Sequence, residues 1–536
     1  MGLHDTSGLD WQRRPDRAAG VAAALTLWLA GCLQAVSLAL PLALPALGLE
    51  RGQTLWWLQV LALACLVAWL DRSTTARQAA LRGWLFAWAW LSSTFAWLYI
   101  SMHDYGGLNA LLAGLAVLTL AGVLALYYAG AAWLYQQITR VSKLPAAVLF
   151  AALWLLAELA RGVLFTGFGW GAIGYAQLDG PLASLIPWLG EYGVGALAAA
   201  LAVSVAQMGQ LAVLRRARGR AALLALGLLV VLGLLWNLPT PQGSTSGHLS
   251  VSLLQGNIAQ EEKFESASGV PQALRWYDEQ LQASRSALVI TPETAVPVLP
   301  QQLPDGYWQR LQQRFASGDQ AALVGVPLGN SAQGYTNSVV GFKPDQAQDW
   351  RYDKHHLVPF GEFIPPLARW FVNLMSIPLG DFNRGLLPQP TFDWQGQRVA
   401  VTICYENLFT QELATQFTDA TRAPTMLVNI SNLGWFGEHL AMDQHLQIAR
   451  MRALEFERPF LLATNTGHSG IVDHQGQVLL RAPSHVATVL SAQVQGRSAI
   501  TPYAYWAARL GLWPLWGLAL LVLLAAWGTR RRVWRA

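Results

Sequence analysis

Charged side chains are scarce in this 536-residue chain. Asp, Glu, Lys and Arg make up 12% of it, half of the roughly 25% found in an ordinary soluble domain. That shortage, beside an apolar majority, excludes a disordered chain and argues against a wholly soluble one. Cysteine is rarer still, at three residues, so there is no disulfide framework. Cys32 and Cys65 fall inside apolar runs, which leaves Cys404 as the Cys of the polar region. The chain has no G-x-x-x-x-G-K-[ST] run, and therefore no P-loop nucleotide site. Histidines at zinc spacing with further ligands are missing too. His355 and His356 are adjacent, so they diverge on a strand and lie about 100° apart on a helix. Neither a metal nor a cofactor is expected.

What is present is apolar and unevenly spread: 53% hydrophobic residues and 25 Trp, with a mean hydropathy of +0.31. Most of the acidic residues and most of the His lie in one central polar region. Runs long enough to cross a bilayer, about 20 residues, occur at 18–47, 54–70, 84–102, 110–136, 144–165, 183–208, 221–238 and 506–527. The first is overlong and interrupted by Pro41 and Pro45, which leaves it either one kinked span or a hairpin.

The net charge of +5 does not point to nucleic acid, because the basic residues cluster between apolar runs. Arg13, Arg14 and Arg17 precede the first run. Arg72, Arg77 and Arg82 follow the second, and Arg140 and Lys143 the fourth. Arg215, Arg216, Arg218 and Arg220 follow the sixth, and Arg530, Arg531, Arg532 and Arg535 the last. The opposite short loops hold only Arg51. The positive-inside rule then gives eight spans, both termini in the cytoplasm, and the polar region outside it. The first run is too long for a cleavable signal peptide.

The expected organisation is a cytoplasmic tail (1–17), a seven-span membrane domain (18–238), a polar domain (249–495), a last span (506–528) and a second cytoplasmic tail (529–536). Glu158 and Arg161, at i and i+3, read as a self-satisfying ion pair near the outer interface, and Glu191 lies near the start of the sixth span. Thr166-Gly-Phe-Gly-Trp-Gly reads as an interfacial loop with its Trp at headgroup level.

Within the polar region the pattern changes to short β-branched runs at 249–254, 287–290, 322–326, 338–342, 399–403, 426–430, 461–464 and 470–473, with helical patterns between several of them. That is a layered α/β domain. Three segments after predicted strands carry chemistry: Thr291-Pro-Glu293, Tyr352-Asp-Lys354-His-His-Leu-Val-Pro-Phe-Gly-Glu362-Phe-Ile-Pro365, and Ile403-Cys404-Tyr405-Glu406. A strand-turn-helix around Cys404 would put its thiol at a helix N-terminus, where the dipole favours thiolate; the other reading is a buried, inert Cys. Together a Glu, a Lys and a Cys supply base, oxyanion-stabilising cation and nucleophile without His or metal.

These residues resemble the nitrilase superfamily, with its Glu-Lys-Cys triad on an α-β-β-α sandwich, and more narrowly the bacterial apolipoprotein N-acyltransferases. Asn429-Ile-Ser-Asn432, Trp435-Phe-Gly437, Gln444-His445, Ala449-Arg-Met-Arg-Ala-Leu-Glu455 and Thr501-Pro-Tyr503 carry the same likeness. The resemblance implies Glu293 as general base, Lys354 as stabiliser and Cys404 as nucleophile. It implies Glu362, Tyr405 and Glu406 as support, and matches Trp236 to a functionally important family Trp. Asn432, Trp435 and Phe436 fall in a segment that is either a mobile lid or a structural loop; Leu433 stands where the family commonly has Asp, and His439 to Asp443 has no assigned role.

The implied activity is transfer of an acyl chain from a phospholipid, usually phosphatidylethanolamine, through a Cys thioester to the α-amine of a diacylglyceryl apolipoprotein. It is expected of a monomer in the bacterial inner membrane, with the catalytic domain on the periplasmic side. The alternatives are a membrane-tethered amidase or nitrilase and, from another class, a transporter or scaffold without catalysis.

Overall fold

A computed structural model describes residues 17–213, 217–239, 243–346, 348–364, 381–438 and 440–533. Arg13, Arg14, Arg215, Arg216, Pro365, His439 and Arg535 lie outside the described residues.

The apolar runs of the N-terminal half form helices α1 (Arg17–Leu38), α2 (Trp56–Asp71), α3 (Ala76–Thr94), α4 (Ala110–Thr139), α5 (Ala146–Val163), α6 (Ile186–Val213) and α7 (Arg218–Trp236). Side-chain caps fix two starts: the Thr75 hydroxyl accepts from Gln78 N at 3.2 Å and Asn109 Oδ1 from Leu111 N at 2.9 Å. Leu223, Leu229 and Leu234 of α7 stand outward and exposed, as on a helix facing hydrocarbon.

Among the described residues, five helices are long and apolar enough to cross a membrane, or up to seven if each of two bent pairs counts as one span. The 16-residue α2 is shorter than these. The first run is neither a kinked span nor a hairpin. Its helix stops at Leu38, and Pro41 and Pro45, which cannot donate to a continuing helix, lie in the loop beyond, where Pro45–Leu47 forms one 3-10 turn. The third run breaks after Thr94 and turns by 63° into Leu98–Tyr105. The last run is also bent. α11 (Pro502–Leu510) meets α12 (Trp513–Val533) at 87°, across Gly511 at φ +56°, so the long final helix starts at Trp513 rather than Trp506.

The polar region is a two-sheet sandwich. β1 (Thr245–Gln255), β2 (Leu288–Ile290), β3 (Ala321–Asn330), β4 (Gly334–Phe342), β5 (Trp350–Asp353) and β12 (Thr488–Arg497) make one sheet, in the order β12-β1-β2-β3-β4-β5. The other runs β11-β10-β9-β8-β7-β6, from β6 (Phe392–Trp394), β7 (Gln397–Ile403), β8 (Met426–Ser431), β9 (Phe460–Thr464), β10 (Gly470–Val472) and β11 (Val478–Arg481). The core between the sheets holds Val251, Leu253, Ile290, Val339, Val401, Val428 and Ile430. Helices α8 (Gly269–Ala283) and α9 (Tyr307–Phe315) cover one outer face, and α10 (Leu440–Phe456) with α11 the other. β1, β2 and β3 pair in parallel, as do β7, β8 and β9. Their C-terminal ends therefore share one end of the sandwich, where ligand sites of parallel sheets form.

Candidate active site

Glu293 follows β2, Lys354 follows β5, Cys404 follows β7 and Asn432 follows β8. The loop bearing Glu293 lies flat on β3. A Cβ at Gly325 would sit 2.2 Å from the Pro292 carbonyl oxygen, so only glycine admits the loop there. Cys404 itself has φ +52°, a left-handed turn that swings its side chain off the end of β7.

The charges form one connected set. Lys354 Nζ lies 3.2 Å from Glu293 Oε1 and 2.9 Å from Glu362 Oε1. Asn337 Nδ2 donates to the same two oxygens at 2.7 and 2.8 Å. The second Glu293 oxygen accepts from the Asn432 main-chain N–H at 2.9 Å, and the second Glu362 oxygen from Val358 N at 2.8 Å. Burial pushes the Glu293 carboxyl up, but the Lys354 charge, the Asn337 hydrogen bond and the Lys263 charge outweigh it and hold it below the usual carboxylate range. Burial likewise pulls the Lys354 ammonium down, and Glu293 and Glu362 together more than reverse that, so its proton is held more tightly than usual.

The thiol behaves in the opposite way. Burial, then the Glu293 carboxylate, raise the Cys404 pKa; Lys354 and the Asn432 amide pull it back only in part. The chain after Cys404 is a five-residue 3-10 turn, Cys404–Leu408, and then a short helix, Thr410–Ala414. A segment that short aligns few peptide dipoles, so of the two readings left open for Cys404 the helix-stabilised thiolate lacks the long helix it calls for. Burial and Glu293 thus raise the Cys404 pKa while Lys354 lowers that of Glu293, so the two groups are pushed apart in the same buried site.

Glu406 does not face the reacting groups. It is a buried clamp that accepts from Ile403 N and His355 N, both at 2.6 Å, from His356 N at 3.1 Å and from the Tyr352 hydroxyl at 2.9 Å. These bonds tie the end of β7 to the residues after Lys354. Burial pushes its carboxyl up to about 7, with the Ile403 hydrogen bond opposing.

Tyr405 turns toward the membrane helices and donates to the Gly167 carbonyl at 3.0 Å. A Cβ on Gly167, at φ +76°, would collide with the Gly162 carbonyl oxygen at 2.1 Å. His355 and His356 part, as their adjacency requires: Nδ1 of one lies 2.7 Å from Gly385 O, that of the other 2.8 Å from Glu412 Oε1. Burial pushes His445 down to about 4, so it is a neutral imidazole, 3.0 Å from Asn407 Nδ2.

The Thr166–Gly171 segment is a seam between the domains, not a headgroup loop. Arg161 Nη1 donates to the Phe168 and Trp170 carbonyls at 2.6 and 2.7 Å. The Trp170 indole, 3% exposed, donates to Gln444 Oε1 at 2.7 Å. That oxygen also accepts from the Trp97 indole at 3.1 Å, which the break after α3 delivers. The Glu158–Arg161 ion pair exists, at 3.5 Å, with Tyr128 bridging the two.

Phe436 packs on Trp97 with ring centroids 4.4 Å apart, and Trp435 on Tyr105 at 5.7 Å. Asp443 pairs with Arg51 and His468, each at 3.2 Å. Among the described residues Trp236 makes no hydrogen bond or ring contact with Glu293, Lys354 or Cys404; it ends α7 with 60% of its surface exposed.

Sequence reasoning missed Asn337, which is unremarkable in a β-strand run, and Lys263. The one available signal for Lys263 was rarity, since the chain has four lysines and two of them are buried at this site.

The model for the apolipoprotein N-acyltransferase N-terminal domain matches residues 30–204, and the one for carbon-nitrogen hydrolase matches residues 250–503. The apolipoprotein N-acyltransferase of Verminephrobacter eiseniae is 52% identical over 504 residues, covering 90% of this chain and 92% of that protein. The chain belongs to the apolipoprotein N-acyltransferase family. The Ralstonia nicotianae member is 44% identical, covering 89% of this chain and 90% of its own length. The family's two parts thus meet on this chain at the change from long apolar helices to the sandwich, and the Glu293, Lys354 and Cys404 site lies inside the carbon-nitrogen hydrolase part.

Proposed function

We propose that the protein is a phospholipid-dependent N-acyltransferase that acylates the α-amine of the diacylglyceryl-Cys of apolipoproteins through a Cys404 thioester. The observation that carries this reading is a buried Glu293–Lys354 pair, 3.2 Å apart, with Cys404 following β7 into the same site and the neighbouring Tyr405 bonded into the membrane helices.

In the first step Glu293 takes the thiol proton as the Cys404 sulfur attacks the ester carbonyl of the phospholipid. The Lys354 ammonium faces the oxyanion that forms. Collapse breaks the ester C–O bond, and the departing lysophospholipid oxygen receives the proton from Glu293. In the second step the lipoprotein amine attacks the thioester carbonyl and passes a proton to Glu293. The C–S bond breaks, and Cys404 regains its proton. Splitting the transfer this way gives ping-pong kinetics. The donor ester carries the free energy, so no cofactor is required.

Because donor and acceptor are both lipids, the site belongs at the bilayer surface. The basic-residue pattern supports eight spans in the bacterial inner membrane, cytoplasmic termini and a periplasmic catalytic domain. Phosphatidylethanolamine is the donor to test first. The test incubates purified full-length protein with phospholipid alone and follows intact mass, with Cys404→Ala as control. An acyl adduct that disappears on addition of a diacylated lipopeptide is the expected result. Steady release of free fatty acid with no adduct would overturn it in favour of a hydrolase, and neither signal in favour of a non-catalytic protein.

A further inference from the structure

The segment after β1 crosses the site and supplies a second buried cation. Lys263 is 1% exposed, and its Nζ donates to the Glu293 main-chain carbonyl at 3.0 Å. Three residues earlier, Gln260 Oε1 accepts from Asn432 Nδ2 at 2.8 Å, so the same segment grips both loops that hold the Glu293 carboxylate. An ammonium buried this completely requires negative charge nearby. Glu293 and Cys404 are the groups whose charge acts on it, and burial holds its own pKa down at about 7. Around Glu293 the other facing groups are Lys354, Asn337 and the Asn432 amide. Glu362 shares Lys354, and the neutral His445 faces Cys404 and Glu293 from α10.

We propose that Lys263 is a positioning residue of the thioester site: it pins the Glu293 loop through the main-chain carbonyl and, as a second cation, holds Glu293 ionised until it takes the Cys404 proton. The division of labour with Lys354 follows from geometry. Lys354 contacts the carboxylate and is committed to two acids, whereas Lys263 approaches Glu293 from its backbone side and bonds its main-chain oxygen. Its role is therefore exerted through Glu293. This rests on the proposed base role of Glu293, but not on the identity of the acyl donor or acceptor.

The experiment follows alkylation of Cys404 by iodoacetamide in the detergent-solubilised full chain, reading the Cys404 peptide by mass from pH 3.5 to 8. No lipid substrate enters, so a failure here is distinct from a failure of the acyltransferase reading. The wild-type acid limb is expected below the ordinary carboxylate range. Removing a neighbouring cation makes Glu293 easier to protonate, so K263M should move that limb up by about one pH unit or more. K263R, which keeps the charge, should hold the limb near the wild-type position. K263Q keeps a donor for the Glu293 carbonyl without the charge and should shift with K263M; it also serves if K263M does not fold. Wild-type limbs in K263M or K263Q would overturn the proposal, and so would a uniform loss of rate at every pH, which is what a purely structural lysine predicts.

Discussion

Arg452 offers a direct test of how the catalytic and membrane parts are joined. It sits on α10, fully buried, paired with Glu191 of α6 and 2.9 Å from Glu455 Oε2 on its own helix. Glu455 Oε1 in turn accepts from the Glu191 main-chain N–H at 2.8 Å, and Oε2 from the Thr410 hydroxyl at 2.7 Å. One cation thus serves two acids, none of the three groups having measurable exposure. Arg452→Met keeps most of the volume and leaves both carboxyls without their counter-charge. Breaking a buried pair by removing one partner costs about 3–5 kcal/mol. Neutralising both acids as well, in E191Q/R452M/E455Q, removes the uncompensated charge and should restore most of that loss, although the triple variant lacks every ion pair of the cluster. The assay is thermal unfolding of the full chain in detergent, with the Cys404 acyl adduct as functional readout. If R452M proves as stable as the wild type, or no less stable than the triple variant, the cluster is not an electrostatic joint and the reasoning fails.

Two further outcomes follow from the site. Glu406→Gln places an NH2 group among donors, orphaning at least one of the main-chain N–H groups now held at 2.6–3.1 Å. A loss of about 1–3 kcal/mol should accompany a marked fall in adduct formation, because Lys354 immediately precedes the clamped His355; full adduct formation at unchanged stability would refute the clamp. For Glu293, whose folded pKa lies below the ordinary 4.5, the ionised form stabilises the protein above about that pH and the contribution is lost as pH falls through the lower folded value. The unfolding-temperature gap between wild type and Glu293→Gln should therefore be present at pH 7 and shrink as pH falls below 4.5. A gap that widens in acid would reverse the assignment.

The sandwich was legible because its central strands are short, apolar and β-branched: β7 reads Gln397 to Ile403 with five buried positions in succession, and the polar candidate site residues stand just after such runs. The strands that went unread, β5, β6, β11 and β12, are edge or near-edge strands with charged or alternating residues, such as Arg351 and Asp353 in β5. Hydropathy sees burial on both faces, and an edge strand lacks it. The same limitation explains the membrane half. A 19-residue window cannot distinguish a straight span from one broken at Thr94 or Gly511, because the break changes direction without changing apolarity. The Gly-aromatic segment at Thr166 was assigned to the headgroups on composition, since nothing local reveals that Gln444, far along the chain, supplies the acceptor for Trp170. Cys404, too, was placed correctly after its strand, but its electrostatics depend on Glu293 and on burial, which no local motif encodes.

The cluster of apolar side chains that contains Trp90, Trp154 and Ile173 of the membrane half continues without interruption into Tyr405, Leu408, Phe409, Ala441, Ile448 and Met451 of the sandwich. The bilayer-embedded helices are consequently half of the enzyme's interior rather than a tether for it. A sandwich cut out at its boundaries, or grafted onto a foreign anchor, would carry a raw apolar face and the stranded Arg452–Glu455 pair where its other half had been. Solubilising the sandwich would therefore mean redesigning the wall on which its own Cys404 loop is built.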